Sequence, residues 1–470
     1  MFRYVFCWIL LLAAPAWATD DPLPAGVRSV LNVRDIQDNE ISLYVADIES
    51  GEVMLEWNAD EPRNPASTIK LITTLVGLDI LGPAYTWTTD VYALGEIDNG
   101  RLDGDLLIKG HGDPFLVTER VWQMLRLVRQ YGIQDIGGDL LIDDSYFQVP
   151  DFDPAAFDNQ PLRAYNVGAN ALLMNFKVVR YWFEPDFDKN AVRVLVDPPL
   201  DNLKVENRLS LKPGSCRGYQ RGISISANES FDEIALSGRF PSGCERYAMD
   251  RTVLDHAEFA YGLFSSLWRE LGGQFDGDWR RATAPEDAEP LLEFRSLPLG
   301  NQIKRINKYS NNVMARQLLY TLAAEDEKLP PTEAAGRHLI RSWLEERELD
   351  GEGFVLENGA GLSRESRISA RQFGRILSYA WKQPYMPEFL ASMSLSGLDG
   401  TARRRFKDPS LSGLAHLKTG SLDHVSAVSG YMQSKSGRRF ALIVLQNAQD
   451  IHRGPGDEVH IALMKWLNEQ

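Results

Sequence analysis

Cysteine is scarce in this sequence, basic charge is in deficit, and no ligand spacing suggests a metal. The 470 residues hold three cysteines, and no two of the seven histidines stand three or four positions apart. With no C-x-x-C pair either, a zinc site has no signature here, and no cofactor is expected. Lys and Arg number 50 against 65 Asp and Glu, a formal charge of -15. That argues against nucleic acid or an anionic membrane as partner, because both demand a basic face that displaces counterions. Any anionic substrate must therefore be met by local cations. Beyond the first residues there is no apolar run long enough to span a bilayer, which takes roughly 20 residues.

What the N-terminus does have is a basic tip at Arg3, an apolar run over residues 4–14, and Ala16-Trp17-Ala18 ahead of Thr19-Asp20-Asp21. Tip, short hydrophobic region and small-x-small site read as a secretory signal peptide cleaved after about Ala18. The expectation is a soluble periplasmic or cell-envelope protein with no membrane segment in the mature chain. Cys7 leaves with the leader, and Cys216 and Cys244 remain as an even pair in an oxidising compartment. A disulfide between them is expected, two free buried thiols being the alternative.

At this length the chain should form two or three compact units. Residues 41–48 and 52–57 are β-rich runs around Glu49-Ser50-Gly51, a hairpin pattern. Residues 414–418, 425–433 and 439–446 give three more strands near the C-terminus, followed by a helical segment at 459–467 with Ile461, Leu463, Met464 and Leu467 on one face. Two strands from one end and three from the other could complete one five-stranded antiparallel sheet flanked by helices, an α+β fold in which much of the middle is insertion. Within that middle, Gly104-Asp-Leu-Leu-Ile108 and Gly138-Asp-Leu-Leu-Ile142 are near-copies separated by a helical segment at 117–130. They suggest a small α/β unit, and residues 167–250 turn strand-rich around both remaining cysteines.

The candidate chemistry starts at Pro65-Ala66-Ser67-Thr68-Ile69-Lys70, which leads into an apolar helix-like run. Positions three apart share a helix face, so Ser67 Oγ and Lys70 Nζ can meet, and the helix N-terminus favours a developing oxyanion. A serine needs a base to become a nucleophile. A lysine serves only if neutral, with its pKa brought down from about 10.4 by burial or by neighbouring cations. About one S-x-x-K is expected by chance in a chain this long, and this is the only one present. Lys418-Thr419-Gly420 follows a strand-like run and precedes Ser421; a K-[ST]-G triplet is expected by chance about 0.2 times, and its glycine admits a substrate backbone. Ser310-Asn311-Asn312 lies between them, ahead of a helical run at 313–323. A second S-x-N, Ser226-Ala227-Asn228, sits in the strand-rich insert next to the cysteines, which favours Ser310.

In chain order these three elements resemble the penicillin-recognising serine enzymes, the superfamily of DD-peptidases and serine β-lactamases. Gly110-His111-Gly112-Asp113-Pro114, Glu357-Asn358-Gly359-Ala360-Gly361-Leu362-Ser363-Arg364 and Gly397-Leu398-Asp399-Gly400-Thr401 look like the G-G-G-D-P, D-G-S-G-L-S-R and G-x-D-G-T signatures of one branch. That branch is the D-alanyl-D-alanine carboxypeptidase/endopeptidase family, the class C low-molecular-mass penicillin-binding proteins, and the resemblance runs over nearly the whole mature chain. It implies a DD-peptidase/β-lactamase-like domain at 22–87 and 291–470, an inserted α/β domain at 88–166 and 251–290, and a nested β-rich insert at 167–250.

The resemblance also implies roles. Ser67 would attack the carbonyl between the two terminal D-alanines of a peptidoglycan stem, with Lys70 taking its proton. Ser310 would relay a proton to the leaving amine, and Asn312 would hold Lys70 and the substrate amide. Lys418 and Thr419 would bind the terminal carboxylate. Backbone N–H groups of Ser67 and Ser421, beside Gly420, would form an oxyanion hole, and β-lactams would acylate Ser67. Arg364 matches an arginine that helps bind the diaminopimelate side chain, a carboxylate suited to bidentate pairing. The sequence departs from the family in places. Asp423 stands where some members carry glutamine, Phe157-Asp158-Asn159 occupies the region of a W-x-D with either Asp158 or Asn159 facing substrate, His111 replaces a glycine, and Arg316 stands where an acid is common. These bear on side-chain preference and leave the nucleophile untouched. A β-lactamase or esterase on this fold would turn penicillin over rapidly, and a non-catalytic peptidoglycan-binding module would release no D-alanine.

Overall fold

The computed structural model describes residues 21–218 and 222–470; the expected signal peptide, residues 1–18, lies outside the described residues. The N-terminal hairpin forms as its pattern predicts, Ile41–Asp47 pairing antiparallel with Val53–Trp57. Ile41–Asp47 also pairs with Arg439–Asn447, which pairs with Val425–Gln433 and then Ala415–Leu422. To the five expected strands the sheet adds a sixth of two residues, Ser394–Leu395, at its edge. Two residues leave too little alternation for a sequence to mark a strand.

Side chains of this sheet divide by the two-residue period of a strand. Tyr44, Ala46, Ala427, Tyr431, Ile443 and Leu445 face one buried cluster with the Lys70–Leu81, Asn312–Ala324 and Ala370–Trp381 helices. Leu43, Val45, Val428, Met432, Leu442 and Val444 face another with the Ala25–Arg34 and Pro455–Asn468 helices. Full burial of such a large apolar side chain contributes about 1.5–3 kcal/mol, so a register slip in the central strands would exchange two complete faces. In the C-terminal helix the buried face is Val459, Leu463, Met464 and Leu467, with Ile461 at its partly covered rim.

Ala415–Leu422 runs further than the expected 414–418, because backbone pairing continues to Leu422↔Val425 across a two-residue turn. Lys418-Thr419-Gly420 is therefore part of a strand rather than the start of a loop. The near-copies in the middle of the chain lie side by side: Leu106↔Leu140, Leu107↔Leu141 and Ile108↔Ile142 pair in parallel, with the Thr118–Gln130 helix as crossover. This seven-stranded sheet also takes in Leu292–Arg295, which the sequence division put with the catalytic part, because Leu292 and Phe294 bury their side chains against the insert's core. Two three-stranded sheets follow within 178–252, and Cys216–Cys244 closes a 28-residue separation at the ends of two parallel strands, Lys204–Ser215 and Glu233–Gly243. No helix among the described residues is long and apolar enough to cross a membrane.

Candidate active site

The chain reaches Ser67 through a strained turn. Ala66 has φ 45°, a left-handed conformation that costs an L-residue about 1–2 kcal/mol. From there Ala66–Ile69 forms one 3-10 turn and runs into the Lys70–Leu81 helix. Asn64 Oδ1 accepts the Ala66 N–H at 2.8 Å. Two glycines press in from other segments: a Cβ on Gly361 would lie 2.0 Å from the Ala66 carbonyl oxygen, and one on Gly420 would lie 2.7 Å from the Pro65 carbonyl oxygen and 3.1 Å from the Ser67 nitrogen. The glycine of the K-T-G strand is thus the residue that lets that strand touch the Ser67 backbone.

Lys70 Nζ lies 3.0 Å from Ser67 Oγ and 2.7 Å from Asn312 Oδ1, and it also contacts the Ala360 carbonyl oxygen. The side chain is fully buried. Burial pushes its pKa well below the ordinary lysine value, and the positive charges of Lys418 and Arg316 push it further the same way. A neutral amine fits these contacts: its two N–H bonds go to Asn312 Oδ1 and the Ala360 carbonyl, and its lone pair faces Ser67 Oγ. Asn312 is fixed from its other end by donating from Nδ2 to the Tyr165 carbonyl at 3.1 Å.

Ser310 also sits in a left-handed conformation, φ 58°, one residue before Asn311, whose side chain caps the Asn312–Ala324 helix by accepting the Met314 N–H. The cap turns the chain so that Ser310 Oγ accepts from Lys418 Nζ at 2.9 Å; Lys418 also donates to the Thr419 carbonyl at 2.8 Å. Burial, then the nearby Arg405, lowers the Lys418 pKa to about 7. Thr419 Oγ1 meets Thr401 Oγ1 at 2.7 Å. Ser67, Ser310, Thr401, Thr419 and Ser421 line one cleft of about 680 Å³.

The structure brings Ser67, Lys70, Ser310, Asn312, Lys418, Thr419, Gly420 and Ser421 together and sets the other named residues apart. Arg364 stacks over the Phe157 ring at 4.9 Å in a neighbouring cleft of about 390 Å³. Asp158 accepts from the Tyr165 hydroxyl at 2.7 Å and Asn166 Nδ2 at 2.8 Å, so both its oxygens are used in shaping the loop below Asn312. Asp423 is at the exposed tip of the 422–425 turn, 3.5 Å from His452 Nε2. His424, Asp450 and His452 gather there, and the Nδ1 atoms of His452 and His424 accept the backbone N–H groups of His424 and Asp450, clasping the turn. The second S-x-N is a turn in the insert, where Asn228 Nδ2 donates to Ser230 Oγ and Asp232 Oδ1.

Sequence reasoning missed the Ala360 carbonyl, which has no side-chain signal; its loop is ordered by Asn358 Oδ1, which accepts the Ala360 and Gly361 N–H groups, both at 3.0 Å. It also missed Arg405, and it read Arg316 only as a departure, whereas Arg316 is buried and donates to the Val167 carbonyl at 2.9 Å while acting electrostatically on Lys70. A further K-S-G triplet, Lys435-Ser436-Gly437, stands nearer the C-terminus. It lies in the turn before Arg439–Asn447, with Lys435 paired to Glu469.

A sequence profile of the family described as D-Ala-D-Ala carboxypeptidase 3 (S13) matches residues 23–470. The chain is 26% identical to a D-alanyl-D-alanine carboxypeptidase of Actinomadura sp. (strain R39), over 98% of this chain and 89% of the other. It is 24% identical to D-alanyl-D-alanine carboxypeptidase DacB of Haemophilus influenzae, over 89% and 88% of the two chains. Among solved structures, penicillin binding protein 4 (dacB) from Haemophilus influenzae has a TM-score of 0.78 at 21% identity, covering 94% of this chain and 99% of that chain. A predatory endopeptidase from Bdellovibrio bacteriovorus has a TM-score of 0.52 at 15% identity, covering 91% and 90%. At such identities the two structures speak to fold.

Proposed function

The chain belongs to the D-Ala-D-Ala carboxypeptidase 3 (S13) family, and from that membership and the surroundings of Lys70 we propose how it cleaves its substrate. It is a serine DD-peptidase acting on the D-alanyl-D-alanine end of peptidoglycan stem peptides, and on D-alanyl cross-links through the same acyl-enzyme. Ser67 Oγ attacks the carbonyl carbon of the penultimate D-alanine. Its proton passes to Lys70 Nζ, 3.0 Å away. The tetrahedral oxyanion lies between the Ser67 and Ser421 N–H groups, a term worth about 3–4 kcal/mol where a single such donor has been removed elsewhere.

Collapse breaks the C–N bond. The departing amine takes the proton that Lys70 received, relayed through Ser310 Oγ, which Lys418 holds at 2.9 Å; Lys70 is then neutral again, and the ester on Ser67 remains until water, deprotonated by Lys70, hydrolyses it. Lys418, Thr419 and Thr401 hold the carboxylate next to the leaving amine. Arg364 and Phe157 offer a cation and a ring to the stem's third-residue side chain, with Asp423 and Asp158 shaping its approaches. β-Lactams present a carboxylate and a reactive carbonyl in the same relation and acylate Ser67. The mature enzyme works in the periplasm or cell envelope once a leader at residues 1–18 is removed.

The observation that carries this reading is the buried Lys70 amine, within reach of Ser67 Oγ and Asn312 Oδ1 and repelled by two further cations. Mass spectrometry after exposure to benzylpenicillin tests it. An adduct on Ser67, lost in Ser67→Ala, together with free D-alanine released from a pentapeptide, is the expected result; an unmodified Ser67 sinks the assignment.

A further inference from the structure

The 680 Å³ cleft holds far more than the methyl group and carboxylate of a leaving D-alanine require. Its wall continues past Thr401 into Arg403 and Arg404, and Tyr309 and Leu398, 70% and 53% exposed, complete the rim. Both arginines are exposed, and among the described residues neither guanidinium has a carboxylate partner. Their neighbours do. Arg405 lies 3.7 Å from Asp457, and the wall's own acid, Asp399, is paired with Lys308. On a chain of net charge -15, two adjacent unneutralised guanidiniums in a cleft select for an anion.

The side of the cleft fixes which anion. If Thr419 and Thr401 hold the carboxylate beside the leaving amine, whatever else is attached to that amine extends past Thr401 along the Arg403–Arg404 wall. The stem's third-residue side chain has its own cleft at Arg364, and Asn312 opens onto another, lined by Phe115 and Phe176. A terminal D-alanine has nothing to place against the arginines. A cross-linked peptide does: its leaving group is a diamino acid embedded in a second stem, with carboxylates and an apolar chain.

We propose that Arg403 and Arg404 bind the acceptor stem of cross-linked peptidoglycan, an acidic peptide joined to the leaving amine, and so favour cross-link cleavage over removal of a terminal D-alanine. Tyr309 and Leu398 cover the aliphatic part of that stem. The inference rests on Ser67 being the nucleophile, as proposed above.

The test compares kcat/KM for a cross-linked tetrapeptide dimer with that for a pentapeptide monomer, in wild type and in the double variant Arg403→Gln, Arg404→Gln. The dimer-to-pentapeptide ratio should fall about tenfold or more, mainly through KM for the dimer, and should lose most of its salt dependence. The pair Arg403→Lys, Arg404→Lys should recover part of it. Arg126→Gln with Arg239→Gln, which removes the same charge from the inserts, should leave the ratio where it was. A ratio unchanged in the Gln pair, or lowered as much by the insert pair, overturns the proposal. Wild-type protein that forms the Ser67 adduct but hydrolyses only pentapeptide overturns this inference alone, whereas absence of the adduct overturns the reading beneath it.

Discussion

Gly420→Ala separates a contact that builds the site from one that merely sits near it. The added Cβ would stand 2.7 Å from the Pro65 carbonyl oxygen, 3.0 Å from Ala66 Cβ and 3.1 Å from the Ser67 nitrogen. Reaching an ordinary contact of 3.4 Å from 2.7 Å asks the Lys418 strand and the Ser67 turn to part by about 0.7 Å. The strand is held in register by Thr419↔Val428, Gly420↔Ala427 and Ser421↔Ser426, so the turn must give, and it already carries Ala66 at φ 45°. A displacement approaching 1 Å between nucleophile and oxyanion donors costs up to about a hundredfold in rate, or about 2.7 kcal/mol of transition-state stabilisation. Overpacking would cost about 1–3 kcal/mol of stability, too little to unfold a body with three large buried clusters. The assay is the second-order rate of Ser67 acylation by benzylpenicillin, with the melting transition as fold control. The expected loss is about ten- to a hundredfold in acylation with a modest drop in melting temperature. An acylation rate within about threefold of wild type, well inside a single kcal/mol, would refute the claim that Gly420 sets the spacing of the two segments.

Three further outcomes follow from charge and topology. Asn312→Asp puts a carboxylate beside Lys70 Nζ, now 2.7 Å from the amide oxygen; it raises the Lys70 pKa, so acylation should collapse near neutrality and the deficit against wild type at the same pH should shrink as pH rises, measured as paired pH–rate profiles, and a deficit constant at all pH values would count against the neutral-amine role. Lys418, lowered to about 7 by burial and Arg405, must be charged to hold a carboxylate, so kcat/KM should fall as pH rises past about 7; Arg405→Gln removes a repelling cation, raises that pKa and should move the falling limb to higher pH, whereas a shift the other way contradicts the electrostatics. Cys216→Ser opens a link across 28 residues, which weakens the β-rich insert by about 3–4 kcal/mol on a loop-entropy estimate; proteolysis within 204–244 should quicken while benzylpenicillin acylation holds, and loss of acylation would mean the insert supports the site.

The catalytic sheet was readable because its strands carry strong alternation and its two hairpins have ordinary turn chemistry. The two-residue strand at Ser394 and the reach of the third strand to Leu422 were not, since both depend on backbone pairing that leaves no mark in side-chain pattern. The same contrast runs through the site. Ser67, Lys70, Ser310, Asn312 and Lys418 could be named from spacing, and then given roles from family resemblance, because serine, asparagine and lysine side chains at such spacings leave a mark in the sequence itself. Ala360 contributes a carbonyl and Arg405 a field, and either effect exists only once distant segments have packed. Asp158 could be picked out by residue type and place, but the Tyr165 and Asn166 partners of its oxygens could not, because no one-dimensional reading shows which side chains meet.

The strand order of the catalytic sheet also dictates a timetable. Ile41–Asp47 finds its outer partner within a few residues, but its inner partner, Arg439–Asn447, is the last strand in chain order among the described residues. Until that strand arrives, Ser67 and Lys418 share no common framework, and the inserted sheets, closed within 88–295, can fold beforehand. Long-range pairings of this kind are slow to form. A nascent or truncated chain that ends between Val425 and Arg439 carries every residue named above as part of the chemistry and yet lacks the strand that joins them, so an enzyme able to cut cell-wall peptides stays inert until its synthesis is nearly done.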